Sequence, residues 1–329
     1  MSAAVDASGP GLGRVTWRNV LRDYPLIPLT GLLLILVLAV EVSQPGTVRP
    51  AWIGVEVRAA IPLAILAGAQ TLTMLTAGID LSVGYVASMV GFVTATLVAP
   101  LGVPLAILVA LVVGAIAGLI SGVGVGVFRV HPLIMTLGMG LVVFGFSNVW
   151  QLQTLQTGSG VPEVLRTLGV GLLWDVLPYS LVVFVPLAAL ILIGLRRSGY
   201  GRLLFAIGDN PIAARLSGAR AWQVLVVLYV IAAVLAGIAG LLYTGLGNAA
   251  SVTLVQSQLL PSVAAAVIGG TSIMGGRGTF MGTIVGACIL TVLTALLTIL
   301  GLPEPWRQIV FGSIIVIVAA AYTRVTAES

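Results

Sequence analysis

Charge is scarce in this chain. Of its 329 residues 8% are charged and 59% hydrophobic, against roughly 25% charged in a soluble domain. Such a chain cannot cover a globule with polar surface, which excludes an ordinary soluble enzyme or binding module. Lysine is absent, and all fifteen basic residues are Arg. The net charge of +5 comes from arginines gathered in short stretches, a topology signal rather than a nucleic-acid surface. The one cysteine, Cys288, lies inside an apolar run, and the one histidine, His131, has neither a cysteine nor a second histidine beside it. Disulfide frameworks and metal sites are excluded on that count. No Ser–His–Asp set and no paired carboxylates appear. The expectation is therefore not an enzyme, with no metal and no cofactor in this chain. Residues 1–24 have no apolar core for a cleaved signal peptide, so the first span is expected to serve as an uncleaved one.

What the sequence has is apolar runs of nearly the ~20 residues that cross a bilayer core. Spans are expected at 26–42, 59–77, 81–99, 105–128, 132–150, 177–195, 223–246, 259–274, 282–300 and 308–322. The eighth is short, ends in glycine and has a re-entrant reading. The expected fold is all-α: a polytopic transmembrane helical bundle of about ten spans, residues 26–324. A cytoplasmic arm, 1–25, precedes it and a cytoplasmic tail, 325–329, follows. Arg14, Arg18 and Arg22 put the arm in the cytoplasm by the positive-inside rule. Ten crossings return both termini there, and place Arg129, Arg277 and the stretch 196–222 on the same side. The charge pattern and the span count agree. The Pro-rich QPGTVRPAW and the loop 151–176, with almost no Arg, fall outside.

Four local features bear on function. The first is 196–222, which holds Arg196, Arg197, Arg202, Arg215 and Arg220. Within it Asn210 suits a helix cap, Pro211 a first turn, and Gly218 a stop. Ala213, Ala214 and Leu216 give that helix a small apolar face, suited to a soluble partner; Asp209 precedes it. The second is Asp80 in GIDLSVG, where Gly78 and Gly84 flank it. A carboxylate near the membrane interior is a functional hypothesis by default. Capping of the third span, gating or partner contact, and proton coupling all stay open, although no second buried acid, His or Lys completes a relay. The third is IGGTSIMGGRGTFMG, with Gly269, Gly270, Gly275, Gly276 and Arg277. A phosphate cradle and a tight interhelical turn compete there, and the stretch lacks G-x-x-x-x-G-K-[ST]. The fourth is Gly114, Gly118 and Gly122, a face for close helix packing within one subunit or across a dimer. Gln70, Asn148, Gln151 and Asn248 are the polar candidates for a substrate pathway.

GIDLSVG at 78–84, PLIMTLG at 132–138, AIGDNPIAARLSG at 206–218 and AAAVIGGTSIMGGRGTFMGTIVGA at 264–287 resemble the permeases of ribose-type monosaccharide ABC importers. The resemblance covers about 55–323. It implies a permease pair, identical or mixed, in the bacterial inner membrane. It also implies a cytoplasmic ATPase with two nucleotide-binding domains, to which ATP and Mg belong, and a periplasmic or lipid-anchored sugar-binding protein. Residues 209–218 would then form the helix that couples to the ATPase. This chain departs from the family at Leu259 and Pro261, where many members have an acidic pair, and at Ala77, where TGGIDLSVG has glycine. The sugar stays open, as does another solute such as a polyol, an autoinducer or a branched-chain amino acid. An ion-coupled carrier is the alternative from a different class.

Overall fold

The computed structural model describes residues 26–154 and 160–327. The arm 1–25 with its three arginines, and the last two residues of the tail, lie outside the described residues. The described chain forms α1 (Leu26–Ser43), α2 (Pro50–Met74), α3 (Val83–Leu101), α4 (Val103–Gly126), α5 (Pro132–Thr154), α6 (Glu163–Val170), β1 (Leu172–Leu173) and β2 (Leu177–Pro178). It continues through α7 (Leu181–Arg197), α8 (Gly199–Asp209), α9 (Pro211–Leu216), α10 (Ala221–Gly247), α11 (Leu259–Ile268), α12 (Phe280–Ile299) and α13 (Glu304–Ala327).

The chain is a polytopic helical protein. Seven helices, α1 to α5, α10 and α12, are long and apolar enough to cross a bilayer, and α7 with α8 makes an eighth candidate bent by 67°. Each of the ten expected segments carries a helix, but α11, with 10 residues, is only about 15 Å long at 1.5 Å per residue.

Three boundaries differ from expectation. The second helix begins at Pro50 rather than 59, because a proline at the first position starts a helix at no hydrogen-bond cost. The sixth expected span begins at 181, its first residues going instead to a hairpin in which Leu172 pairs with Pro178 and Leu173 with Leu177. That hairpin is the one exception to an all-α chain among the described residues. The stretch 196–222 is not a loop around one short helix. Ser198 breaks the helix, then caps α8 by accepting from the Gly201 N–H at 2.9 Å.

The core is organised around α10, which packs against α4, α3 and α2. The glycine row of α4 makes this possible: a methyl group on Gly118 would stand 2.5 Å from the Tyr229 carbonyl oxygen, and one on Gly122 2.7 Å from Val226. The close-packing face is thus spent inside one subunit. A second buried cluster joins Leu63, Ala64 and Ala67 of α2 to α11, α12 and Phe311 of α13.

Candidate functional site

At one end of the bundle three backbone turns converge: the end of α2, the α8–α9 junction and the glycine-rich turn 269–279. The Gly276 N–H donates to the Leu75 carbonyl oxygen at 3.0 Å. Gly208 lies so close that a methyl group on it would overlap that same oxygen, and Gly276 packs on Asp209. Gly270, Gly275 and Gly276 all have positive φ, at 86°, 88° and 69°; a side chain in that left-handed region costs about 1–2 kcal/mol. Gly269 packs on Gly282 at the start of α12, and Arg277 is exposed while its carbonyl accepts from the Ser272 N–H at 2.8 Å. The turn closes on itself and on its neighbours.

Across this seam lies α9. Asn210 is its cap, its Oδ1 accepting from the N–H groups of Ile212 at 3.1 Å and Ala213 at 3.0 Å, with Pro211 at the first position. Gly218 (φ 86°) stops it, and the Ala219 N–H returns to the Ala214 carbonyl at 3.1 Å, the wrap that satisfies a helix's last carbonyls. The apolar face is rotated from the expected one. Ala214 is buried, whereas Leu216 is 85% and Ile212 63% exposed; spaced four apart, these two share one outer face. Sequence reasoning missed Ile212. Behind α9 a groove of about 690 Å³ runs between Leu203, Ala206, Ala213 and Val224.

Asp80 is 2% exposed. Its Oδ1 accepts from the Ser82 N–H at 2.9 Å and the Ser82 hydroxyl at 2.6 Å, holding the turn that leads into α3. Burial pushes its carboxyl above the usual carboxylate range, and the two Ser82 bonds oppose that. Gln70 of α2 clamps the same loop: its amide donates to the Asp80 carbonyl at 2.7 Å and accepts from the Asp80 N–H at 3.3 Å. Thr136 of α5 holds the other side, accepting from the Leu81 N–H at 3.0 Å. Gly78 sits beneath the Tyr229 hydroxyl, and Gly84 admits Val255 and Leu259 against α3.

The four polar pathway candidates do not come together. Gln70 is buried in the Asp80 clamp. Asn148 donates to the Phe144 carbonyl at 2.8 Å on α5, where Gln151 is half-buried. Asn248 ends α10 in a left-handed conformation, exposed. His131 is an exposed turn residue whose carbonyl begins α5. Among the described residues no group of three His, Cys, Asp or Glu could hold a metal.

Residues 57–319 match the family described as "Branched-chain amino acid transport system / permease component". The chain is 34% identical over 263 residues to the fructose import permease protein FrcC of Rhizobium meliloti, covering 78% of this chain and 73% of the relative. It is 32% identical over 291 residues to the ribose import permease protein RbsC of Bacillus subtilis, with 88% and 90% covered. To RbsC of Escherichia coli K12 it is 34% identical over 258 residues, 77% and 80% covered. No solved structure matches significantly.

Proposed function

Because the chain belongs to the permease-component family of the branched-chain amino acid transport system, we propose that it is the membrane subunit of an ATP-driven, binding-protein-dependent importer of a monosaccharide. Its relatives named for ribose and fructose import support that substrate class. In this reading the bundle crosses the bacterial inner membrane ten times, with both termini cytoplasmic, and a second permease subunit completes the pathway. Substrate arrives from an external binding protein, and a cytoplasmic ATPase supplies the energy.

One observation carries the coupling part of the proposal: α9 presents Ile212 and Leu216 outward while its base, Gly208–Asp209, is wedged against Leu75 and the glycine-rich turn. An ATPase cleft that grips the outer face moves the base. The base has no room to yield, so the displacement passes into α2 and into the turn that starts α12. It also passes through the 67° bend into α7. Packed elements of this kind shift between discrete arrangements rather than deforming continuously.

The test is a pull-down of the tagged permease from detergent-solubilised native membranes, with Leu216→Glu beside wild type. Leu216 touches little in this chain, so the variant inserts normally. The expected result is that a two-domain ATPase accompanies wild type and is lost from the variant. A wild type that brings no ATPase in several mild detergents, or a variant that retains it and transports normally, overturns the assignment.

A further inference from the structure

At the end of the bundle away from α9, the elements α2, α10, α11, α12 and α13 enclose a cavity of about 340 Å³. Contacts identify that end. Arg58 Nη1 donates to the Val170 carbonyl at 2.6 Å, Gly54 backs onto Val176, and Gly245 abuts Leu165. These are the α6 and hairpin segments, which the charge pattern puts outside the cell. The volume is at the small end of ligand pockets, roughly 300–1,000 Å³.

The lining is chemically mixed. Glu56 is half-buried, and its carboxylate has no hydrogen bond or salt bridge among the described residues. Gln258 accepts from the Tyr243 hydroxyl at 3.4 Å through its oxygen, which leaves its amide N–H groups free among the described residues. Thr294 donates its hydroxyl back to the Leu290 carbonyl at 2.7 Å, so it offers the cavity an acceptor. Arg307 is committed, to Glu304 at 3.3 Å and to the Leu302 carbonyl at 3.3 Å. Phe311 and the Tyr243 ring add apolar faces.

The backbone beside the cavity is a second, separate observation. The chain between α10 and α11 is not α-helical, yet Val252 and Val255 are buried, and the Val255 N–H is satisfied by the Ser88 hydroxyl at 2.9 Å. Non-helical backbone at membrane depth persists only where it is buried in protein or lines a cavity. Here it leads into α11, whose first turn borders the cavity through Ser257, Gln258 and Pro261. Broken helices with an N-terminus at a cavity are how transporters build polar sites inside a bilayer.

We propose that this cavity binds one neutral monosaccharide within a single permease subunit. Free acceptors at Glu56 and Thr294 and a free donor at Gln258 suit vicinal hydroxyls, and the two rings suit the C–H faces of a sugar. An amino acid is disfavoured, because its carboxylate would need a free cation and Arg307 is already paired. The assignment rests on the import reading.

The test uses the transporter in right-side-out spheroplasts, with Thr294→Cys placed in a Cys288→Ser background and a membrane-impermeant maleimide outside. Thr298→Cys, one turn further out, serves if the first variant does not insert. The cysteine is expected to label from outside. Labelling is expected to slow at least tenfold with one of ribose, fructose or galactose, and to be indifferent to leucine. Adding Glu56→Gln is expected to raise the half-protecting sugar concentration at least tenfold while the ATPase still co-purifies. A cysteine that does not label, that no sugar protects, or that leucine protects overturns the proposal. Protection unchanged by Glu56→Gln overturns it too. Failure of the import reading shows elsewhere, as wild-type permease without an ATPase, and the labelling decides the cavity regardless.

Discussion

Gly276 donates its backbone N–H to the Leu75 carbonyl oxygen at 3.0 Å, and Gly208 fills the space in front of that same oxygen. One carbonyl thus joins the end of α2, the glycine-rich turn and the base of α9. Gly208→Ala puts a methyl group onto it and forces a backbone shift, the overpacking situation that costs about 1–3 kcal/mol. Gly138→Ala is the matched control, because nothing stands within 4 Å of a methyl group there. Thermal unfolding in detergent is expected to separate the two, the control staying within about 0.5 kcal/mol of wild type. Uptake is expected to fall in the first variant and to hold in the second.

Ala77 sits one residue before GIDLSVG with φ at 59°, the left-handed region where a side chain is costly. The ribose-type pattern has glycine at this place, and the alanine here keeps the glycine conformation. Ala77→Gly removes the clash but gives the unfolded chain more freedom, so the net gain is a fraction of the about 1–2 kcal/mol strain. A rise in melting temperature is expected; a fall would mean that Ala77's side-chain packing outweighs its backbone strain.

The Asp80 carboxyl is raised in the folded chain by burial, which fixes a sign. The folded form holds the proton more tightly than the unfolded form. The stability this contributes is fully present below the unfolded-state pKa and is lost as pH rises through the folded-state value. Wild type is therefore expected to melt higher as pH is lowered through that window. Asp80→Asn keeps an oxygen for the Ser82 N–H and removes the titration, so its melting temperature is expected to be flatter with pH. Asp80→Ala leaves the Ser82 donors unpaired in the interior, a loss of about 1–3 kcal/mol at every pH. If Asp80→Asn melts and transports like wild type, the residue holds a loop and moves no proton.

Much of this was legible in the sequence, for physical reasons that also explain what was not. Burying apolar helices needs long apolar runs, so each of the ten expected segments carries a helix. Caps are local, so Asn210, Pro211 and Gly218 announced α9 correctly. The face it shows outward was not legible: Ala214 turns inward because Gly218 and Ala219 fold back over it, and small size alone does not tell a packed alanine from an exposed one. The start of α2 at Pro50 was signalled by the proline but masked by the polar residues around it. The Glu56 cavity left no trace, because Glu56, Tyr243, Gln258, Thr294 and Arg307 come from five elements and have no common spacing. Gln70, ranked as a pathway residue for its polarity, belongs to the Asp80 clamp, and polarity in an apolar run cannot distinguish the two.

The glycine row of α4 had two readings, packing within a subunit and a seam between subunits, and they differ in what a substitution does. A methyl group on Gly118 would stand 2.5 Å from the Tyr229 carbonyl oxygen and 2.6 Å from the Ala233 methyl, both on α10 of the same chain. Gly118→Ile is therefore expected to separate α4 from α10, lower the melting temperature sharply and reduce the yield of inserted protein. The smaller Gly118→Ala is expected to cost about 1–3 kcal/mol while the surviving protein keeps its subunit stoichiometry by native mass spectrometry in detergent. Dissociation into single subunits at unchanged thermal stability would instead put Gly118 at an interface. That outcome would require α10 to leave a face it fills completely here, and α10 is the helix around which the core is built.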